Sequence, residues 1–195
     1  FTEAEIEACV SRAYTPEKFG GPCPVKLVPL SDGGEEKLLL ELWHGPTCAF
    51  KDMALQILPH FLTTALRKAG GGKEAVILTA TSGDTGKAAD AQSSVKQIFT
   101  DPKLKEKLGA HGMLFSSANS INWGRRLPQI VYYVYAYLEL VRQRKRILGE
   151  SMDVVVPTGN FGNILAAYYA RKMGLPISHI FEEVVSGETI ANRPE

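Results

Sequence analysis

The sequence predicts an α/β fold built on a mostly parallel sheet. Three observations carry that reading. Apolar, extended stretches alternate with helical ones along the chain, a loop of small polar residues separates each pair, and each loop stands where a strand hands over to a helix. In such folds ligands collect beyond the carboxyl ends of the strands, which is where these loops fall.

The elements follow in order. Residues 2–13 read as an amphipathic helix, opened by Thr2 with Glu5 three positions later as a capping box. Pro16, Gly20, Gly21, Pro22 and Pro24 mark a loop. Val25 to Leu30 and Lys37 to Trp43 read as two strands around the turn Ser31-Asp-Gly-Gly34. Leu38 onward passes through His44-Gly-Pro-Thr47 into a helix with Phe50, Met53, Ile57 and Phe61 on one face, kinked by Pro59. A second unit is the strand Ala75 to Thr79, the loop Thr81-Ser-Gly-Asp-Thr-Gly86 and a helix from Lys87. A third is Met113 to Phe115, a polar loop from Ser116 to Arg125, and a long helix entered near Pro128. The fourth is Val154 to Val156, the loop Pro157 to Asn163, and a helix from Ile164 to Gly174.

Bulk properties narrow the function. The 195 residues hold one ordinary domain or pieces of two, and 45% hydrophobic with 22% charged residues is a globular composition. A net charge of +1 gives no electrostatic reason to expect nucleic acid or an anionic membrane as partner. The basic run Arg142 to Arg146 ends an apolar-periodic segment, where cations favour a helix C-terminus. Cys9, Cys23 and Cys48 form no C-x-x-C pair, and His44, His60, His111 and His179 are scattered, which argues against a disulfide scaffold and a metal site. The sequence has no signal-peptide pattern and no membrane-length apolar run, so a reducing cytoplasm is the expected compartment. Phe1 opens the chain without a methionine, and a preceding segment is expected.

The loops carry the chemistry. Thr158-Gly-Asn-Phe-Gly-Asn163 opens a helix whose free N–H groups attract an anion, although a tight turn capped by Asn163 reads equally well. The loop at 81–86 offers hydroxyls at Thr81, Ser82 and Thr85. Gly83-Asp-Thr-Gly-Lys87 ends like a P-loop, but Thr81 and Ala88 occupy positions that the pattern reserves for Gly and for Ser or Thr, so nucleotide binding is a remote alternative. Asn119 to Arg125 offers amide, hydroxyl and guanidinium groups, suited to an oxyanion or to capping the next helix. Lys51 stands at a helix start, where a cation opposes the dipole. Its neighbours Phe50, Met53 and Ala54 predict a partly desolvated, nucleophilic amine, with a surface pair to Asp52 as the plain alternative.

Together these motifs, His44-Gly-Pro-Thr-Cys-Ala-Phe-Lys-Asp52, Thr81 to Gly86, Asn119-Ser-Ile-Asn-Trp-Gly-Arg125 and Gly159-Asn-Phe-Gly-Asn163, resemble the threonine synthase family of fold-type II pyridoxal-phosphate enzymes. The resemblance implies two α/β domains and pyridoxal 5'-phosphate as cofactor, held by Lys51 as a Schiff base. It implies Asp84 facing the cofactor ring and Gly159, Asn160, Phe161, Gly162 and Asn163 cupping its phosphate. Ser82, Thr85, Asn119, Ser120 and Arg125 would contact the substrate, O-phospho-L-homoserine, which is converted with water to L-threonine and phosphate. A threonine dehydratase, a cysteine synthase or a homologue that binds the cofactor without catalysis is the alternative within the fold. A monomer or small homo-oligomer is expected.

The chain departs from that family in length. Segments are expected to be missing near 88–90 and near 177–180, each betrayed by a Cα separation far above the ~3.8 Å of bonded residues. The implied division is 1–75 for the N-terminal region and the first part of the large domain, 76–150 for the small domain, and 151–195 for the large domain resumed.

Overall fold

The computed structural model describes residues 1–30, 37–70, 72, 74–78, 97–117, 122–157 and 161–183. The first helix, α1 (Glu3–Ala13), starts where its sequence says. Thr2 Oγ1 accepts the backbone N–H of Glu5, and the Glu5 carboxylate accepts that of Thr2 at 2.8 Å, which closes the capping box. A short α2 (Pro16–Phe19) follows and stops at Gly20, whose φ of 67° is a left-handed cap that glycine adopts at little cost. Strands β1 (Lys26–Leu30) and β2 (Lys37–Glu41) pair antiparallel, as the sequence predicts; the turn between them lies outside the described residues.

The helix expected to kink at Pro59 is broken instead. It forms α3 (Asp52–Leu55) and α4 (Leu58–Ala69), with Pro59 in the first turn of α4. Proline lacks an N–H, and the first turn of a helix is where that loss costs nothing. Next come β3 (Glu74–Leu78), a helical turn at 97–100, α5 (Pro102–Ala110) and β4 (Met113–Ser117), with β3 and β4 parallel. The long helix α6 (Trp123–Arg142) begins five residues before Pro128, because the Asn122 side chain caps it by accepting Gly124 N–H at 2.8 Å. Strand β5 (Met152–Pro157), helix α7 (Gly162–Lys172) and strand β6 (Ile177–Glu183) close the order as a parallel β-α-β unit.

The described strands form three two-stranded sheets, one antiparallel and two parallel. The first polar loop therefore follows an antiparallel hairpin strand, whose pairing needs only a short connection. Ile177 to Glu183 run as one strand paired parallel with Met152 to Pro157, with a register shift between Met152 and Val154. The position 88–90 lies outside the described residues.

The main core joins the hairpin side to the C-terminal β-α-β unit through α6. Ile130, Tyr133, Tyr137 and Leu140 of α6 are buried with Phe19, Val25 and Met53, and with Val156, Ala166, Ala170 and Ile177. Full burial of each large apolar side chain contributes about 1.5–3 kcal/mol. Cys9 and Ala13 of α1 meet Ile57 in a second, smaller core, where Cys9 Sγ lies 3.7 Å from Thr64 Oγ1. Among the described residues no helix is long and apolar enough to cross a membrane.

Candidate functional site

The segment from His44 to Asp52 is held by its last residue. Asp52 is fully buried, and its two carboxylate oxygens accept the backbone N–H and the hydroxyl of Thr47 at 2.7 and 3.0 Å. Gly45 lies against that carboxylate, and a Cβ there would come within 2.5 Å of Asp52 Cβ. The loop thus wraps one side chain, and only a glycine fits where it passes closest. Within the same loop Cys48 adopts a φ of 54°, a left-handed conformation that costs a non-glycine residue about 1–2 kcal/mol.

Lys51 is the N-cap of α3, and its side chain is exposed, with Nζ 6.0 Å from the centre of the Phe50 ring. The partly desolvated amine read from its apolar neighbours is therefore not found: Met53 and Ala54 are buried, while Lys51 is exposed. The surface pair between Lys51 and Asp52 is not found either, because Asp52 turns inward to Thr47. Two adjacent residues divide the work, one anchoring the loop and the other presenting an amine. Upstream, His44 Nε2 lies 2.8 Å from a Glu41 carboxylate oxygen at the end of β2. The half-buried Tyr14 donates its hydroxyl to the Met53 carbonyl and ties the end of α1 to α3.

Helix α3 packs on α6, and α6 packs on α7, so the element that carries Lys51 and the element expected to meet a phosphate share one support. Phe161 is the exposed N-cap of α7, and among the described residues no side chain caps that helix. By contrast, Thr2, Asp101 and Asn122 cap α1, α5 and α6 with side-chain oxygens. Gly162 puts no side chain over the first turn of α7. Its backbone donors are thus suited to an anion.

Asn163 lies on that first turn, buried, and its side chain is turned into the protein. Its Oδ1 accepts the hydroxyls of both Tyr132 and Tyr133, the latter at 2.7 Å. Burial pushes both tyrosines well above the ordinary phenol range, so both remain protonated donors. Arg125 stands half-buried in the first turn of α6, and burial draws its guanidinium below the usual arginine value without neutralising it. Its carbonyl accepts from Gln129 Nε2 at 2.9 Å.

Of the residues expected to form the site, the structure describes Lys51, Arg125, Phe161, Gly162 and Asn163. Ser82, Asp84, Thr85, Asn119, Ser120, Gly159 and Asn160 lie outside the described residues. The sequence reading missed two supports. Asp52 was visible beside Lys51, and its pairing with a glycine seven residues earlier was the available signal. Tyr132 and Tyr133 gave no local signal, because their partner is thirty residues away.

No family model matches the chain. It is 37% identical to mouse (Mus musculus) threonine synthase-like 1 over 205 residues, which takes in 78% of this chain and 27% of that protein. It is 35% identical to threonine synthase of Schizosaccharomyces pombe over 231 residues, covering 90% of this chain and 42% of that one. Among solved structures, the pyridoxal-phosphate-bound threonine synthase of Brucella melitensis superposes with a TM-score of 0.72 at 32% identity, over 92% of this chain and 45% of that chain. The yeast enzyme gives the same TM-score at 29% identity. The chain spans less than half the length of these relatives. An alignment of 231 positions is also longer than the chain's 195 residues, so relatives carry residues inside the matched region that this chain lacks.

Proposed function

Because this chain is a threonine synthase-like protein of the fold-type II architecture, we propose that it binds pyridoxal 5'-phosphate and, with it, converts O-phospho-L-homoserine and water to L-threonine and phosphate. The observation that carries the reading is that the helix started by the exposed Lys51 and the helix whose first turn is suited to an anion, α3 and α7, both pack on α6. The residues present fit the cofactor: an amine for its aldehyde and a helix start for its phosphate.

When bound, pyridoxal phosphate supplies an electron sink for a carbanion on the substrate. Lys51 is the residue that holds it and then moves protons at the α and β carbons of the substrate. Backbone N–H groups of Gly162 and Asn163 would donate hydrogen bonds to the cofactor phosphate. Arg125 is cationic and half-buried, which supports a bidentate grip on the substrate phosphate. Asp84 at the cofactor ring, Gly159 and Asn160 at its phosphate, and Ser82, Thr85, Asn119 and Ser120 at the substrate complete the proposed site.

The test is phosphate release from O-phospho-L-homoserine by the purified chain, beside Lys51→Ala. We expect release by the parent, and from the variant neither release nor the absorbance of bound cofactor. A second reading, cofactor binding without turnover, is favoured by the residues that relatives carry and this chain lacks. Cofactor absorbance in the parent with no phosphate released decides for that reading.

A further inference from the structure

Adjacent residues on a helix point about 100° apart, so they do not ordinarily reach the same target. Tyr132 and Tyr133 nevertheless bring both hydroxyls to one atom, Oδ1 of Asn163, their rings tilted with centroids 4.9 Å apart. The Tyr133 hydroxyl also lies 3.4 Å from the Asn163 backbone carbonyl. All three side chains are buried, at 1%, 5% and 8% exposure. This is costly chemistry to place inside a core merely to fill space, since phenylalanine would fill the same volume with no polar atom to satisfy.

The consequence lies in what the two bonds hold. Both tyrosines lie on α6 and Asn163 lies on the first turn of α7, so the bonds pin that turn to α6 from inside the core. An anion at the helix start requires the backbone N–H groups of that turn held in place, so the pinning matters for its recognition. We propose that Tyr132 and Tyr133 are positioning residues for the cofactor phosphate: they latch Asn163 so that the start of α7 presents donors to an anion. The inference rests on the cofactor reading above and adds the device that makes the site selective for a phosphorylated ligand.

The test compares two probes, pyridoxal 5'-phosphate and phosphate-free pyridoxal, titrated by absorbance against the parent chain, Tyr132→Phe, Tyr133→Phe and the double variant. Thermal unfolding of each cofactor-free protein monitors the fold. We expect the double variant to lose roughly tenfold to a hundredfold in affinity for the phosphorylated probe, the scale of a hydrogen bond to a charged group. Affinity for pyridoxal should stay within about twofold, because a role confined to packing would lower both together. Each single variant keeps one donor and should lose less, so the singles carry the test if the double variant does not fold. Equal losses for both probes, or no loss for either, overturn the latch while leaving the cofactor reading intact. A parent chain that takes up neither probe overturns the cofactor reading, and the latch with it.

Discussion

Asp52 and Lys51 are neighbours with opposite fates, and the loop between Gly45 and Asp52 is the reason. The carboxylate satisfies two donors of Thr47 from a fully buried position, which leaves the adjacent lysine free to face outward. Asp52→Ala should therefore cost about 2–4 kcal/mol of stability, because it breaks two hydrogen bonds and empties a fully buried position. Gly45→Ala should cost about 1–3 kcal/mol by overpacking, since its Cβ meets carbon atoms of a short, immobile side chain. Denaturant unfolding measures both. In both variants cofactor uptake at Lys51 should weaken more than the global loss explains, because the anchor lies one residue from the amine. The sequence offers only the spacing of Gly45 and Asp52 as a sign of it. Lys51 and Asp52 look like an exposed ion pair until the chain folds back on Thr47, and only then does burial separate them.

At the scale of an element, the clearest device is the docking of α1 on α4. Lys68 Nζ lies 2.8 Å from a Glu5 carboxylate oxygen, and that contact, reinforced by the Thr2 backbone, lowers the Glu5 pKa to about 2 from an ordinary 4.5. A carboxylate whose folded pKa is depressed stabilises the fold fully above its unfolded value and loses that contribution as the pH falls through the folded one. The attachment of α1 should thus weaken between about pH 4.5 and 2. Carboxyl resonances should titrate near 2 at Glu5 in the parent, and closer to the ordinary value in Lys68→Ala. The start of α1 was legible because a capping box is a local pattern, complete within four residues. The division of α3 from α4 was less so: Pro59 announces a disturbance, but whether it kinks a helix or starts one depends on packing around Ile57 and Leu58. The start of α6 likewise lay hidden behind Pro128, because the capping Asn122 sits in a loop rich in other polar residues.

At the scale of the whole molecule, Tyr132 and Tyr133 are buried and Tyr14 is half-buried. Burial raises Tyr14, Tyr132 and Tyr133 above the ordinary phenol value of 10. A group whose folded pKa is raised contributes stability below its unfolded value and forfeits it as the pH climbs toward the folded one. Alkaline unfolding should therefore set in above about pH 10. It should appear as a cooperative rise in phenolate absorbance that coincides with loss of helical circular dichroism, not as a gradual titration. A gradual rise with helicity intact would contradict the burial of these hydroxyls. The alternation of strand and helix was legible from periodicity, as was the family from four loop motifs, because both are written in nearby residues. The splitting of the strands into three small sheets was not, since partner choice depends on contacts far apart in sequence. The three cysteines also lie at three depths: Cys48 exposed, Cys23 half-buried with its thiol donating to the Val25 carbonyl, and Cys9 buried between α1 and α4. A thiol reagent should reach them in that order. The chain thus carries its own depth gauge, in which the first label reports the loop around Lys51, the second a local loosening and the third the departure of α1.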